Sequence, residues 1–155
     1  MERDQWVFAE ATPNVFVMYA LDRLLKLNLT SVVTNIKGMP AFFYVAYYWS
    51  QRFGWASLQT FFTNYEKDIA NKAATLPKTQ QDKIDQWTIR YSRIVGGNVI
   101  AHLKFYSINP TETLIAQQLA GLPKLTTTGM LSPSFTNPSS QAARKKFSSN
   151  LIIAD

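Results

Sequence analysis

The chain of 155 residues contains no cysteine. That excludes a disulfide framework and any thiolate metal site. It has one histidine, His102, so it cannot build the two-histidine zinc site of an H-E-x-x-H helix from its own residues. There is no G-x-S-x-G turn, no P-loop, no G-x-G-x-x-G and no EF-hand loop, which leaves no local signature for nucleophilic hydrolysis, nucleotide binding or calcium binding. Long hydrophobic runs are missing too. The longest uncharged stretch around the most apolar segment, residues 38–51, has 14 residues, against the roughly 20 that a bilayer span needs. No membrane span is expected. The first ten residues, MERDQWVFAE, lack a basic region ahead of an apolar run, so no secretory signal peptide is expected there.

Charge is also thinly spread. The net charge is +6, half of it in residues 122–155, where Lys124, Arg144, Lys145 and Lys146 face only Asp155. The remaining body holds twelve basic and nine acidic side chains. A near-balanced body argues against a broad polyanion-binding face, and nucleic acid is not the expected partner. Arg144, Lys145 and Lys146 form a weak basic cluster, read first as a solvated tail and second as a contact for an acidic surface or nucleic acid.

What is abundant is aromatic. In residues 42–65, FFYVAYYWSQRFGWASLQTFFTNY, eleven of 24 side chains are aromatic and only Arg52 is charged. Such a strip stacks nucleic-acid bases when exposed, but a stacking platform needs flanking cations for phosphates. Periodicity instead predicts two core helices. Phe42, Val45, Ala46, Trp49 and Phe53 follow a 3.6-residue period; after Gly54, Leu58, Phe61, Phe62 and Tyr65 share one face. Tyr44, Tyr47 and Tyr48 carry hydroxyls that need partners and are candidates to edge a groove.

Further signals extend the helical reading. Thr12-Pro13 opens a helix with Val17, Leu21, Leu24 and Leu25 at helical spacing. A short element covers residues 31–37. Thr79-Gln80-Gln81-Asp82 is a capping box with Asp as its acid; behind it Ile84, Trp87, Tyr91, Ile94 and Val95 run until Gly96-Gly97. Asn98 caps a short segment to Tyr106. Asn109-Pro110 with Glu112 starts a final helix carrying Leu114, Ile115 and Leu119. His102 reads as a packed helix residue. Asn28-Leu29-Thr30 is a glycosylation sequon, meaningful only in a secreted chain. The expected architecture is all-α, with about six helices in residues 1–124 and a flexible Ser/Thr/Pro-rich basic tail in residues 125–155.

Three stretches in order resemble the enhancin-type zinc metallopeptidases, which include viral enhancing factors of insect viruses and mucin-degrading enzymes of bacteria. AEATPNVFVMYALDRL is similar to the helix after their zinc motif. The aromatic strip, with its Phe-Gly-Trp turn, is similar to an aromatic helix pair. LPKTQQDKIDQWTIRYSRIVGGNVIAHLKFYSI is similar to their closing helices, from a Pro-Lys-Thr start to a Val-Gly-x-Asn break. The likeness covers residues 8–108 and implies the helical subdomain of a gluzincin-like metallopeptidase. It implies a glycoprotein or mucin substrate for the intact enzyme, and a secreted or virion-associated setting. It places Glu10 at the family's third zinc ligand; a carboxylate just ahead of a helix also suits the helix dipole. The family's H-E-x-x-H is missing from this chain. The resemblance therefore implies the C-terminal part of a catalytic domain, inactive alone, with zinc belonging to the intact enzyme and a partner chain able to supply the missing part. A small basic helical binding or assembly module, for a nucleic-acid or protein partner, is the alternative.

Overall fold

The computed structural model describes residues 11–36, 39–72 and 76–132. Among them are seven α-helices: α1 (Ala11–Tyr19), α2 (Leu29–Asn35), α3 (Ala41–Phe53), α4 (Trp55–Ala70), α5 (Gln80–Val95), α6 (Ile100–Phe105) and α7 (Glu112–Gln118). A π-helical turn, Ala20–Leu24, prolongs α1. No strand is present among the described residues, only one isolated bridge between Asn98 and Lys124. The chain is all-α, as expected.

Helix α3 is the axis of the fold. Residues 42–50 are buried without a break, which a helix tolerates only when other elements cover every face. Its aromatic side chains mesh with α5 and α4. Trp49 stacks on Tyr91 at 3.9 Å between ring centroids, and Phe42 meets Trp87 edge-on at 4.7 Å. Phe61 of α4 closes on Trp87 at 4.1 Å. Burying each such ring is worth roughly 1.5–3 kcal/mol. The aromatic strip is therefore interior packing and not a stacking platform.

Local chemistry sets the helix ends. Gly54 has φ 77° and ψ 160°, a region open only to glycine; a methyl group there meets nothing within 4 Å, so conformation rather than space demands the residue. The break separates α3 from α4 while keeping both in the core. The capping box of α5 forms in full: Asp82 N–H donates to Thr79 Oγ1 at 3.0 Å, and Thr79 N–H donates to Asp82 Oδ2 at 2.9 Å. Those bonds hold the Asp82 carboxyl below its ordinary pKa. Asn28 caps α2 by accepting from Ser31 N–H at 3.0 Å.

Two expectations need correction. The apolar face predicted for the first helix is not the buried one. Val15 and Met18 are buried, whereas Val17, Leu24 and Leu25 are exposed. Leu21 packs against the core. The π turn closes an i→i+5 bond, Leu25 N–H to Ala20 O at 3.0 Å, and that extra residue per turn slips the 3.6 period for Leu24 and Leu25; Val17 lies ahead of the turn, on the outer side of α1. The last helix does not start at an Asn109 cap. Thr111 precedes Glu112 as its cap residue and makes no side-chain capping bond. Instead the buried Asp85 of α5 accepts from Thr111 N–H at 2.8 Å and from Gln81 Nε2 at 3.0 Å, a tertiary substitute for a local cap.

Residues 123–131 lie as a strap across α6 and α3. Asn98 N–H donates to Pro123 O at 2.8 Å, and Leu125 N–H returns a bond to Asn98 O at 3.2 Å. Gly97 makes room for the strap: a Cβ at that position would lie 2.7 Å from the Leu125 side chain. Residues 133–155 are outside the described residues.

Candidate functional site

The row of tyrosines on α3 points inward. Tyr44, Tyr47 and Tyr48 are all buried, and each hydroxyl has found an acceptor. Tyr44 donates to Ile36 O at 3.0 Å, Tyr47 to Thr30 Oγ1 at 2.8 Å and Tyr48 to Thr128 O at 2.9 Å. The groove anticipated beside them is filled, by the end of α2 on one side and by the strap on the other. Burial raises the Tyr44 pKa, partly offset by a backbone hydrogen bond, so its phenol stays neutral.

Beneath the strap sits His102, fully buried on α6. Trp49 Nε1–H donates to its Nδ1 at 3.1 Å. An indole N–H only donates, so Nδ1 carries no proton and Nε2–H donates to Thr126 O at 2.9 Å. Desolvation holds the His102 pKa below its ordinary value; the bond to Thr126 opposes this and the Arg52 charge adds to it. Arg52 donates to the same carbonyl at 2.8 Å. Tyr106 donates to Leu131 O at 2.7 Å. These side chains grip the strap through its backbone oxygens. A histidine in this state is a fastener, with neither ring nitrogen available as a base.

Among the described residues, the donors in place do not fit zinc. The one imidazole spends both nitrogens inside the fold. Among the described residues, no three His, Asp or Glu side chains gather closely enough to hold a metal ion. Glu10, the ligand implied by resemblance, lies outside the described residues. So do Arg144, Lys145 and Lys146 of the basic cluster.

The feature that packing does not absorb is apolar. Phe16 is 56% exposed, Val17 52%, Leu24 71% and Leu25 63%, with Leu27 also open. All lie within residues 16–27. The segment is itself well anchored. Trp55 Nε1–H donates to Asp22 Oδ2 at 2.5 Å, and Tyr19 packs edge-on against Trp55 at 5.3 Å. Sequence periodicity pointed at these leucines but assigned them to the core, because a π turn leaves no mark in the pattern. Arg52 carried a readable signal: one cation in an aromatic strip must find acceptors. Which acceptors could not be read, since Thr126 is 74 residues away.

Among the described residues no helix is long and apolar enough to cross a membrane. Set against models of protein families, curated proteins and solved structures, the chain finds no match.

Proposed function

We propose that this chain is the helical C-terminal part of an enhancin-like metallopeptidase domain, and that it works by docking on the zinc-bearing part of such a domain in a partner chain. The observation that carries the docking half is the open apolar face of Phe16, Val17, Leu24, Leu25 and Leu27. Clustered exposed apolar side chains mark an interaction surface. This face directly follows the position where the resemblance puts the third zinc ligand, Glu10, so the partner it suits is the metal-bearing half. The sequence motifs support the family half of the reading. With one histidine, already committed, this chain supplies shape and core to such a domain and not its zinc chemistry. Zinc, and a glycoprotein or mucin substrate, belong to the assembled enzyme.

Sedimentation of the purified chain tests the docking face. An uncovered face of this kind is expected to drive concentration-dependent self-association in the absence of its partner. A Leu24→Gln/Leu25→Gln variant is expected to sediment as a monomer with unchanged helix content. A wild-type chain that stays monomeric at all concentrations and binds no apolar dye overturns the proposal.

A further inference from the structure

An open cleft of about 830 Å³ lies between α4, α5 and the end of α7. No strap residue lines it, and it owes nothing to the metallopeptidase reading. Its lining includes three cations, Lys67, Arg90 and Arg93, and one carboxylate, Asp68. Arg90 is already spent. It pairs with Asp68 Oδ2 at 2.6 Å, and its guanidinium lies 4.8 Å from the centre of the Tyr65 ring. Arg93 has only neutral company, donating to Gln118 Oε1 at 2.8 Å and less closely to Gln118 O. Among the described residues, neither Arg93 nor Lys67 makes an ion pair. Two uncompensated cations therefore line one cleft in a body whose charges otherwise nearly cancel. Asn64, Gln86 and Gln118 add amide groups to the same walls.

We infer that this cleft binds a small polar ligand bearing a phosphate, sulfate or carboxylate group. Lys67 and Arg93 take the anionic group. The guanidinium offers a planar fork that matches two oxygens of such a group, and the ammonium adds a point charge. Hydroxyls on the rest of the ligand bond the amides. The volume lies within the range of sites that take small molecules, and Arg90 is held in the cleft wall by Asp68 and Tyr65.

The test uses the full chain, labelled with nitrogen-15, titrated separately with inorganic phosphate and with a monophosphorylated sugar. The side-chain N–H signals of Arg93 and Gln118 report binding. Saturable shifts are expected from both probes. The sugar phosphate should bind about tenfold more tightly, the equivalent of about 1.4 kcal/mol from the amide contacts. A Lys67→Gln/Arg93→Gln variant, altered only at exposed positions, should keep its helix content and lose the saturable shifts. Shifts that do not saturate, that sodium chloride of equal ionic strength reproduces, or that persist in the double variant overturn the inference. Equal affinity for the two probes overturns the role given to the amides.

Discussion

His102 shows how a single residue can mislead by its chemistry and still be read correctly by its neighbours. A lone histidine invites a catalytic or metal role, yet Ile100, Ala101 and Leu103 around it predict a packed position, and it is buried. Its proton placement has a measurable consequence. Protonating Nδ1 would set two donors, Trp49 Nε1–H and Nδ1–H, against each other. The folded pKa is accordingly below the ordinary 6.5, so near and below pH 6.5 the unfolded chain binds more protons than the folded one. Stability from this residue is complete above pH 6.5 and is lost as pH falls through 6.5 towards the folded pKa. Urea unfolding across this interval should show a midpoint that drops with acidity. A His102→Leu variant should be less stable above pH 6.5 by about 1–3 kcal/mol, since it leaves the buried Trp49 Nε1–H without its acceptor. It should also have a flatter profile. The Asp82 and Glu112 carboxyls, both held low by their hydrogen bonds, act only at lower pH and leave the histidine interval clear. Gly97 belongs to the same scale. Gly97→Ala overpacks against Leu125 and should cost about 1–3 kcal/mol, with faster proteolysis within residues 123–131 as the readout that separates strap release from global loss.

At the level of elements, legibility tracked how local the governing interaction is. The Thr79–Asp82 box is closed by residues three apart, and it was read and observed in the same place. A Thr79→Ala substitution should lower stability by about 1 kcal/mol, measurable by thermal unfolding. Gly54 was read as a break, and its backbone angles explain why no other residue suits. Gly54→Ala should cost about 1–3 kcal/mol, although the site has room for the methyl group. Where the interaction is distant, the pattern failed. Asp85 caps the chain ahead of α7 from 26 positions away; Asn109-Pro110 offered a better local start that tertiary bonding overrode. The Ser/Thr-rich composition after residue 124 spoke for a tail. It held no sign of Tyr48, Arg52, His102 and Tyr106 waiting to bind its carbonyls. Those bonds run to backbone oxygens, which every residue type carries alike.

Across the whole molecule, the aromatic abundance and the scarcity of metal donors pull the functional reading in one direction. The rings that might have stacked bases are consumed by the core formed around α3, and the only imidazole is consumed in fastening the strap. What the body leaves open is an apolar face on residues 16–27 and a cationic cleft on the α4–α5 side. Neither was legible beforehand: Leu24 and Leu25 of the first follow a π turn, and the second gathers residues from positions 61 to 118. In the function proposed above, the apolar face is the seam where a zinc-bearing half would join.

Zinc titration of the pure chain, followed by chelator-controlled incubation with a mucin glycoprotein, tests this reading most directly. The expected result is no stoichiometric zinc uptake, an unmoved His102 ring signal, and no glycoprotein cleavage that a chelator abolishes. One tightly bound zinc per chain, with cleavage that a chelator stops, would contradict it.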